Sequence, residues 1–278
     1  EMCIRDREIQ TFTADTTGIT DISPWIKLYP DMRLSLAMGR SNPLRTYLDK
    51  HYIGWQKFAL SVGTSTDKGL SGELYVDNFQ KEGFRVDQMD AVIRQDSSFF
   101  YTVASVHKEK FKDQQPFNAM VSLTTNVHRT EVFTRVEDRN EESFLQLGLD
   151  MTKMPNNDLK FSFTPGAQIL AYNSFDVKGA NYIVLPAHDR MRIKADIDLV
   201  APDESGISVR SLGESTEPSD TLNLSIRNFS LEKIKNLSFV PDMDGMINLN
   251  ANWIKTDGIN DYTAFLRLNN FKFDLSLI

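Results

Sequence analysis

Apolar and polar residues alternate with a period of two along most of this chain. The clearest runs are Ala119-Val121-Leu123 with Val127 in phase, Leu145-Leu147-Leu149-Met151, Leu159-Phe161-Phe163 and Met191-Ile193-Ala195-Ile197-Leu199. Leu222-Leu224-Ile226, Ile247-Leu249-Ala251-Trp253 and Ala264-Leu266-Leu268 follow, and the residues between are polar, as at Arg192, Lys194, Asp196 and Asp198. Side chains two apart on a strand share a face, so each run predicts a strand with one apolar and one hydrated side. Gly, Asn and Asp punctuate the runs, at Gln80-Lys-Glu-Gly83, Asn156-Asn-Asp158 and Thr256-Asp-Gly258 among others. Their spacing suits hairpins of an antiparallel meander. The expected fold is therefore all-β and mainly antiparallel.

One phrase recurs at distant positions: Leu74-Tyr-Val-Asp-Asn-Phe79, Leu224-Ser-Ile-Arg-Asn-Phe229 and Leu266-Arg-Leu-Asn-Asn-Phe271. Alternation breaks at each Asn-Phe, which predicts that the strands end there, with Phe79, Phe229 and Phe271 capping a sheet rim. Repetition of one half-apolar strand favours a long surface over a compact catalytic pocket.

Helix is expected in two places. Ser41-Asn-Pro-Leu-Arg-Thr-Tyr-Leu-Asp49 has a Ser or Asn cap, an early Pro and Leu44/Leu48 one turn apart. Ser230–Leu237 places Leu231, Ile234 and Leu237 at intervals of three. Residues 1–30 are weakly patterned, and 31–278 reads as one continuous β-region with a candidate loop or linker at 206–220 around Pro218.

Charge and composition narrow the function. A net charge of −7, with no dense basic run, disfavours nucleic acid, whose binding needs clustered Lys and Arg. No stretch approaches the ~20 apolar residues of a membrane-spanning helix. The chain begins at Glu1, and the expectation is an internal piece of a longer protein. The single cysteine, Cys3, excludes an intrachain disulfide. His51, His107, His128 and His188 lie far apart and outside metal-ligand spacings. Asp242-Met-Asp-Gly245 lacks the later ligands of a calcium loop, and glycines occur singly, so no phosphate loop is present. Asn228-Phe-Ser230 and Asn236-Leu-Ser238 match the glycosylation tripeptide, a pattern that chance also produces. Nothing here marks an enzyme, a cofactor or a metal site.

The C-terminal third resembles the strand-rich region of the TamB family, within the wider AsmA-like superfamily of the Gram-negative envelope. The residues that carry the resemblance are Phe175-Asp-Val-Lys-Gly-Ala-Asn-Tyr-Ile-Val184, Met191–Leu199, Leu222–Ile234 and Gly245-Met-Ile-Asn-Leu-Asn-Ala251, with a related phrase at Gly72–Val86. The style is closest to the long forms of Bacteroidetes-like bacteria, over roughly residues 44 to 278. The family's N-terminal membrane helix and characteristic C-terminal end are not recognisable.

The resemblance implies an elongated, curled sheet forming an open apolar trough, in a periplasmic segment of an inner-membrane-anchored protein. It implies a non-enzymatic role in moving phospholipid between the inner and outer membranes and in outer-membrane protein assembly. The implied partners are phospholipid acyl chains and an outer-membrane barrel-assembly protein of the TamA/BamA type. The expected lining is Ala119, Val121, Leu123, Leu145, Leu147, Leu149, Ile193, Ala195, Ile197, Leu222, Leu224, Ile226, Ile247, Leu249, Leu266 and Leu268. Alternation alone serves a dry core equally well. A closed β-sandwich or β-helical adhesin, a binding module of the cell envelope, is therefore the alternative, and a carbohydrate-active enzyme on a β-rich scaffold a further one. An outer-membrane barrel would need strands of about ten residues, and most apolar runs here look shorter.

Overall fold

The structure is a computed structural model; it describes residues 26, 29–66, 68–95, 99–111, 115–126, 128–188, 192–212, 220–234, 243–256 and 259–273. Nearly all of them belong to one sheet of seventeen strands. In chain order these are β1 (Met32–Gly39), β2 (Ile53–Gly54), β3 (Lys57–Ser65), β4 (Gly69–Lys81), β5 (Phe84–Gln95) and β6 (Phe99–Lys108). Then come β7 (Phe117–Asn126), β8 (Arg129–Glu137), β9 (Ser143–Lys153), β10 (Leu159–Phe163), β11 (Gln168–Leu170) and β12 (Asn173–Leu185). The series ends with β13 (Lys194–Val200), β14 (Gly206–Leu212), β15 (Asp220–Ser230), β16 (Met243–Thr256) and β17 (Ile259–Phe273).

The topology is a meander in which each strand pairs antiparallel with the next. Two details interrupt it. β2 pairs with β4 in the register of β3 and so extends the line of β3. β10 and β11 share one line between β9 and β12. They are separated at Pro165-Gly166, where proline has no N–H to donate to a ladder. The buried Gln168 side chain bridges the gap. Its Oε1 accepts from the Gly148 N–H at 2.9 Å, and its Nε2 donates to the Thr164 and Gly166 carbonyls at 3.1 and 3.3 Å. The seventeen strands therefore occupy fifteen lines, which at ~4.8 Å per line extend roughly 70 Å.

The sheet keeps two open edges: among the described residues β1 pairs only with β3, and β17 only with β16. Strand length departs from the sequence expectation. β4 and β12 have 13 residues, β16 has 14 and β17 has 15. Short length therefore does not argue against a barrel; the open edges do, because a barrel closes its last strand on its first.

The Asn-Phe phrases explain the misjudged lengths. The strands do not end there. Asn78, Asn228 and Asn270 each take a left-handed backbone conformation, with φ of 56°, 49° and 51°, and the ladder resumes beyond. At Asn228 two residues of β15 face one of β16, between the pairs Ile226↔Leu249 and Phe229↔Ile247. That bulge returns Phe229 to the side occupied by Ile226, so it joins the apolar face rather than capping a rim. At Asn270 the bulge lies opposite Gly245, where a Cβ would stand 2.9 Å from the Phe271 Cα. At Asn78 pairing is interrupted without a change of register, from Asp77↔Gln88 to Phe79↔Val86. Asn is favoured at each because its short polar side chain tolerates this region better than most.

The expected helices are shorter than their sequence patterns. Arg45–Lys50 forms one, preceded by Asn42, whose Oδ1 accepts from the Leu44 N–H at 2.9 Å. Leu231–Ile234 forms a 3-10 turn with Leu231 buried; residues 235–237 lie outside the described residues. Residues 206–212, marked from composition as loop or linker, form β14, paired on both sides; 213–219 lie outside the described residues. So do most of 1–30, together with Met191, Val127, Asp242 and Asp257-Gly258.

If the repeat encodes a left-handed asparagine, Asn228→Gly will match the native urea midpoint. Asn228→Val will lose about 1–2 kcal/mol in the same measurement. Equal stability of the two variants would contradict this account of the repeat.

Candidate functional site

Residues directly opposite each other in an antiparallel pair lie on the same side of the sheet. Following the registers from β1 traces one face across the whole array: Leu36↔Leu60↔Leu74↔Ala91↔Ala104↔Val121↔Thr134↔Leu147. Leu149, two residues on, continues it to Phe163 of β10. Phe161↔Ile183↔Ala195 then leads, with Ile197 two on, through Val209↔Leu224↔Ala251↔Ala264 of β17.

The sequence-derived lining residues fall on this face. Ala119 and Leu123 flank Val121, and Leu145 precedes Leu147 on β9. Leu222 and Ile226 flank Leu224; Ile247 and Leu249 precede Ala251; Leu266 and Leu268 follow Ala264. Ile193 precedes β13 and stands two residues before Ala195.

Their surroundings differ. Ala195 and Ile197 are 2% and 6% exposed, and Ile197 belongs to a packed cluster with Phe175, Leu199 and Ala201. Val121, Leu149, Leu266 and Leu268 are 46%, 39%, 62% and 43% exposed. The remaining ten are half-buried. The inner face of a sandwich this size would be buried throughout. Here burial is concentrated in the middle of the array, around β12 and β13, and apolar surface stays accessible on either side. Buried strand side chains nonetheless favour this face: Val76, Thr125, Thr130, Gln168, Phe175 and Leu199 all lie on it.

The opposite face is polar and cross-linked by charge. Arg129 holds Asp150 with two hydrogen bonds of 2.8 Å, which raise the Arg129 pKa. Arg210 and Arg227 both reach Asp198, at 2.8 and 3.0 Å. The Asn223 amide donates to Asn250 and Asn252, at 2.9 and 2.7 Å. Such exposed pairs contribute little stability individually, but they keep this side hydrated.

Sequence reading missed two parts of the apolar face. One is its N-terminal quarter, including Leu34 and Leu36 of β1 and Phe58, Leu60 and Val62 of β3; period-two spacing was present there as a signal. The other is a set of polar residues at strand ends. Lys108 lies opposite Phe117 and is 2% exposed; Lys153 lies opposite Leu159. Burial pushes the Lys108 ammonium below its usual range, Asp87 opposing the shift. Among the described residues no His, Cys, Asp and Glu cluster could hold a metal ion, and no helix is long and apolar enough to cross a membrane.

Asp87 supports the sheet end beside Lys108. Burial raises its pKa, but the Glu109 N–H at 2.7 Å and the Arg85 guanidinium outweigh that and hold it below the usual carboxylate range. A lowered folded value contributes stability that is complete above the unfolded pKa of about 3.9 and is lost as pH falls through the folded one. The melting-temperature gap between the native chain and Asp87→Asn will therefore be widest near pH 6 and narrow as the pH falls below about 3.9. A gap independent of pH would contradict the assignment.

Compared with protein-family models, curated proteins and solved structures, the chain matches none.

Proposed function

We propose that this chain is a non-enzymatic segment of a TamB/AsmA-like envelope protein, shielding lipid acyl chains on its apolar face. In this reading it serves phospholipid transport between the inner and outer membranes and supports outer-membrane protein assembly. It would lie in the periplasm, as part of an inner-membrane-anchored protein that works with an assembly partner of the TamA/BamA type.

One observation carries the reading. A single apolar face runs in register from β1 to β17 while much of it remains accessible to solvent. Contiguous exposed apolar surface is rare on a soluble protein unless something covers it. An acyl chain in water pays about 25 cal/mol for each Å² of apolar surface exposed. Laid on this face, both surfaces leave water together, and a continuous strip offers many equivalent positions with no deep well to hold the chain. The trough geometry belongs to the same proposal: burial concentrated on the apolar side supports a sheet that curls toward it. Such a surface works without catalytic geometry, which agrees with the absence of catalytic motifs in the sequence.

Mutations should target exposed positions, because a charge at Ile197 would enter the packed cluster and one at the buried Ala195 would be cut off from water, and either would unfold the sheet. Val121→Asp with Leu149→Asp places both carboxylates where water reaches them. The double variant is expected to melt within a few degrees of the native chain, while phospholipid co-purifying with it, counted by native mass spectrometry, falls several-fold. Lipid content unchanged in the folded variant, or absent from the native chain, would refute the proposal.

A further inference from the structure

The β9 row on the apolar face reads Leu145, Leu147, Leu149, Met151 and then Lys153. Lys153 is the last residue of its strand. It stands opposite Leu159 of β10, and beyond Leu159 in the same row stands Leu185 of β12. Toward β10 and β12 its neighbours on the face are therefore aliphatic, while on the β8 side its backbone N–H donates to the His128 carbonyl at 3.4 Å. The Lys153 Nζ is enclosed, and it has no hydrogen-bond partner among the described residues. Lysines near apolar surface ordinarily extend the stem until the ammonium meets water. An enclosed cation without a partner is costly, and an anion that completes the pair offsets that cost. Lys108 shows the contrast: it lies on the same face near the other strand ends, and Asp87 supplies its counter-charge.

We propose that Lys153 is a head-group subsite of the apolar face, pairing with the anionic group of an alkyl-chain ligand whose tail lies over Met151, Leu149 and Leu147. This rests on the acyl-chain reading above and adds the chemistry of the head. The dimensions agree. From Leu145 to Lys153 the strand advances eight residues, about 27 Å at ~3.4 Å each. One leaflet of a bilayer, about half of a ~30 Å hydrocarbon core, has tails shorter than that. A single tail therefore fits between Lys153 and the far end of β9. A carboxylate and a phosphate monoester both provide the anionic oxygens that Nζ lacks.

The test uses the delipidated full chain and four probes in titration calorimetry: palmitate, hexadecyl phosphate, hexadecanol and inorganic phosphate. The native chain is expected to bind at least one of the charged alkyl probes about tenfold more tightly than hexadecanol, the equivalent of about 1.4 kcal/mol. Whichever of palmitate and hexadecyl phosphate binds more tightly identifies the head as carboxylate or phosphate. Lys153→Met should remove that preference and leave hexadecanol affinity within twofold, while Lys153→Arg should keep it. Lys153→Gln provides the same comparison should the Met variant not fold. Hexadecanol binding with no preference for charge, or a preference that survives Lys153→Met or Lys153→Gln, overturns the subsite and leaves the apolar-face reading standing. Inorganic phosphate binding as tightly as hexadecyl phosphate also overturns it, since the anion site would then owe nothing to the face. If no alkyl probe binds at all, the acyl-chain reading itself fails.

Discussion

Everything in this sheet depends on keeping its alternation in phase across the hydrogen-bond ladder. A strand has a side-chain period of two, so a slip of one residue between neighbours would send every apolar side chain of that strand to the hydrated face. The registers never allow it. Leucine meets leucine at Leu36↔Leu60 and Leu60↔Leu74, and the same face reappears at Leu224↔Ala251 after many further pairings. The polar side supplies the opposite constraint, because a slip would bury Arg129, Asp150 and Asp198 away from the partners and water that hold them. Register, not a deep core, specifies this fold.

That constraint explains why irregularities take the form they do. Where a strand must bend or twist, an extra residue enters as a bulge and the phase is restored beyond it. Asn228 and Asn270 do this through a left-handed backbone conformation, and the stretch containing Gly179 and Asn181 inserts two extra residues to the same end, between Lys178↔Asp198 and Tyr182↔Asp196. There the Asn181 side chain also exchanges hydrogen bonds with the Phe163 backbone, at 2.9 Å in both directions. Bulges increase local twist, so their recurrence along a long array provides a means of curving it without breaking the apolar strip.

Strand identity and facing were legible because alternation is a direct record of which side meets water. Ile247-Leu249-Ala251-Trp253 needed no structure to be placed together. Strand length was less legible, because a bulge at Asn228 looks in sequence like an ending: it breaks the period while the ladder continues. Gln168 was invisible for a different reason. Its role arises only because Pro165 breaks the line between β10 and β11 and leaves the Gly148 N–H to be satisfied by a side chain. Lys153 was not legible at all, since nothing in the sequence distinguishes an enclosed ammonium from a hydrated one. How burial varies along the face was equally hidden, because a furrow and a dry core require the same alternation. The exposure of Val121 and Leu266 beside the burial of Ile197 had to come from coordinates.

The two sides of the sheet make the central claim directly measurable. A photo-crosslinking amino acid placed singly at Val121, Leu149 or Leu266 reports on the apolar face, and one at Met120, Asp150 or Arg267 on the polar face one residue away. In membrane-bearing cells expressing the protein, the account predicts lipid adducts at the first three positions and none at the second three. Adducts at both sets alike, or at neither, would contradict it.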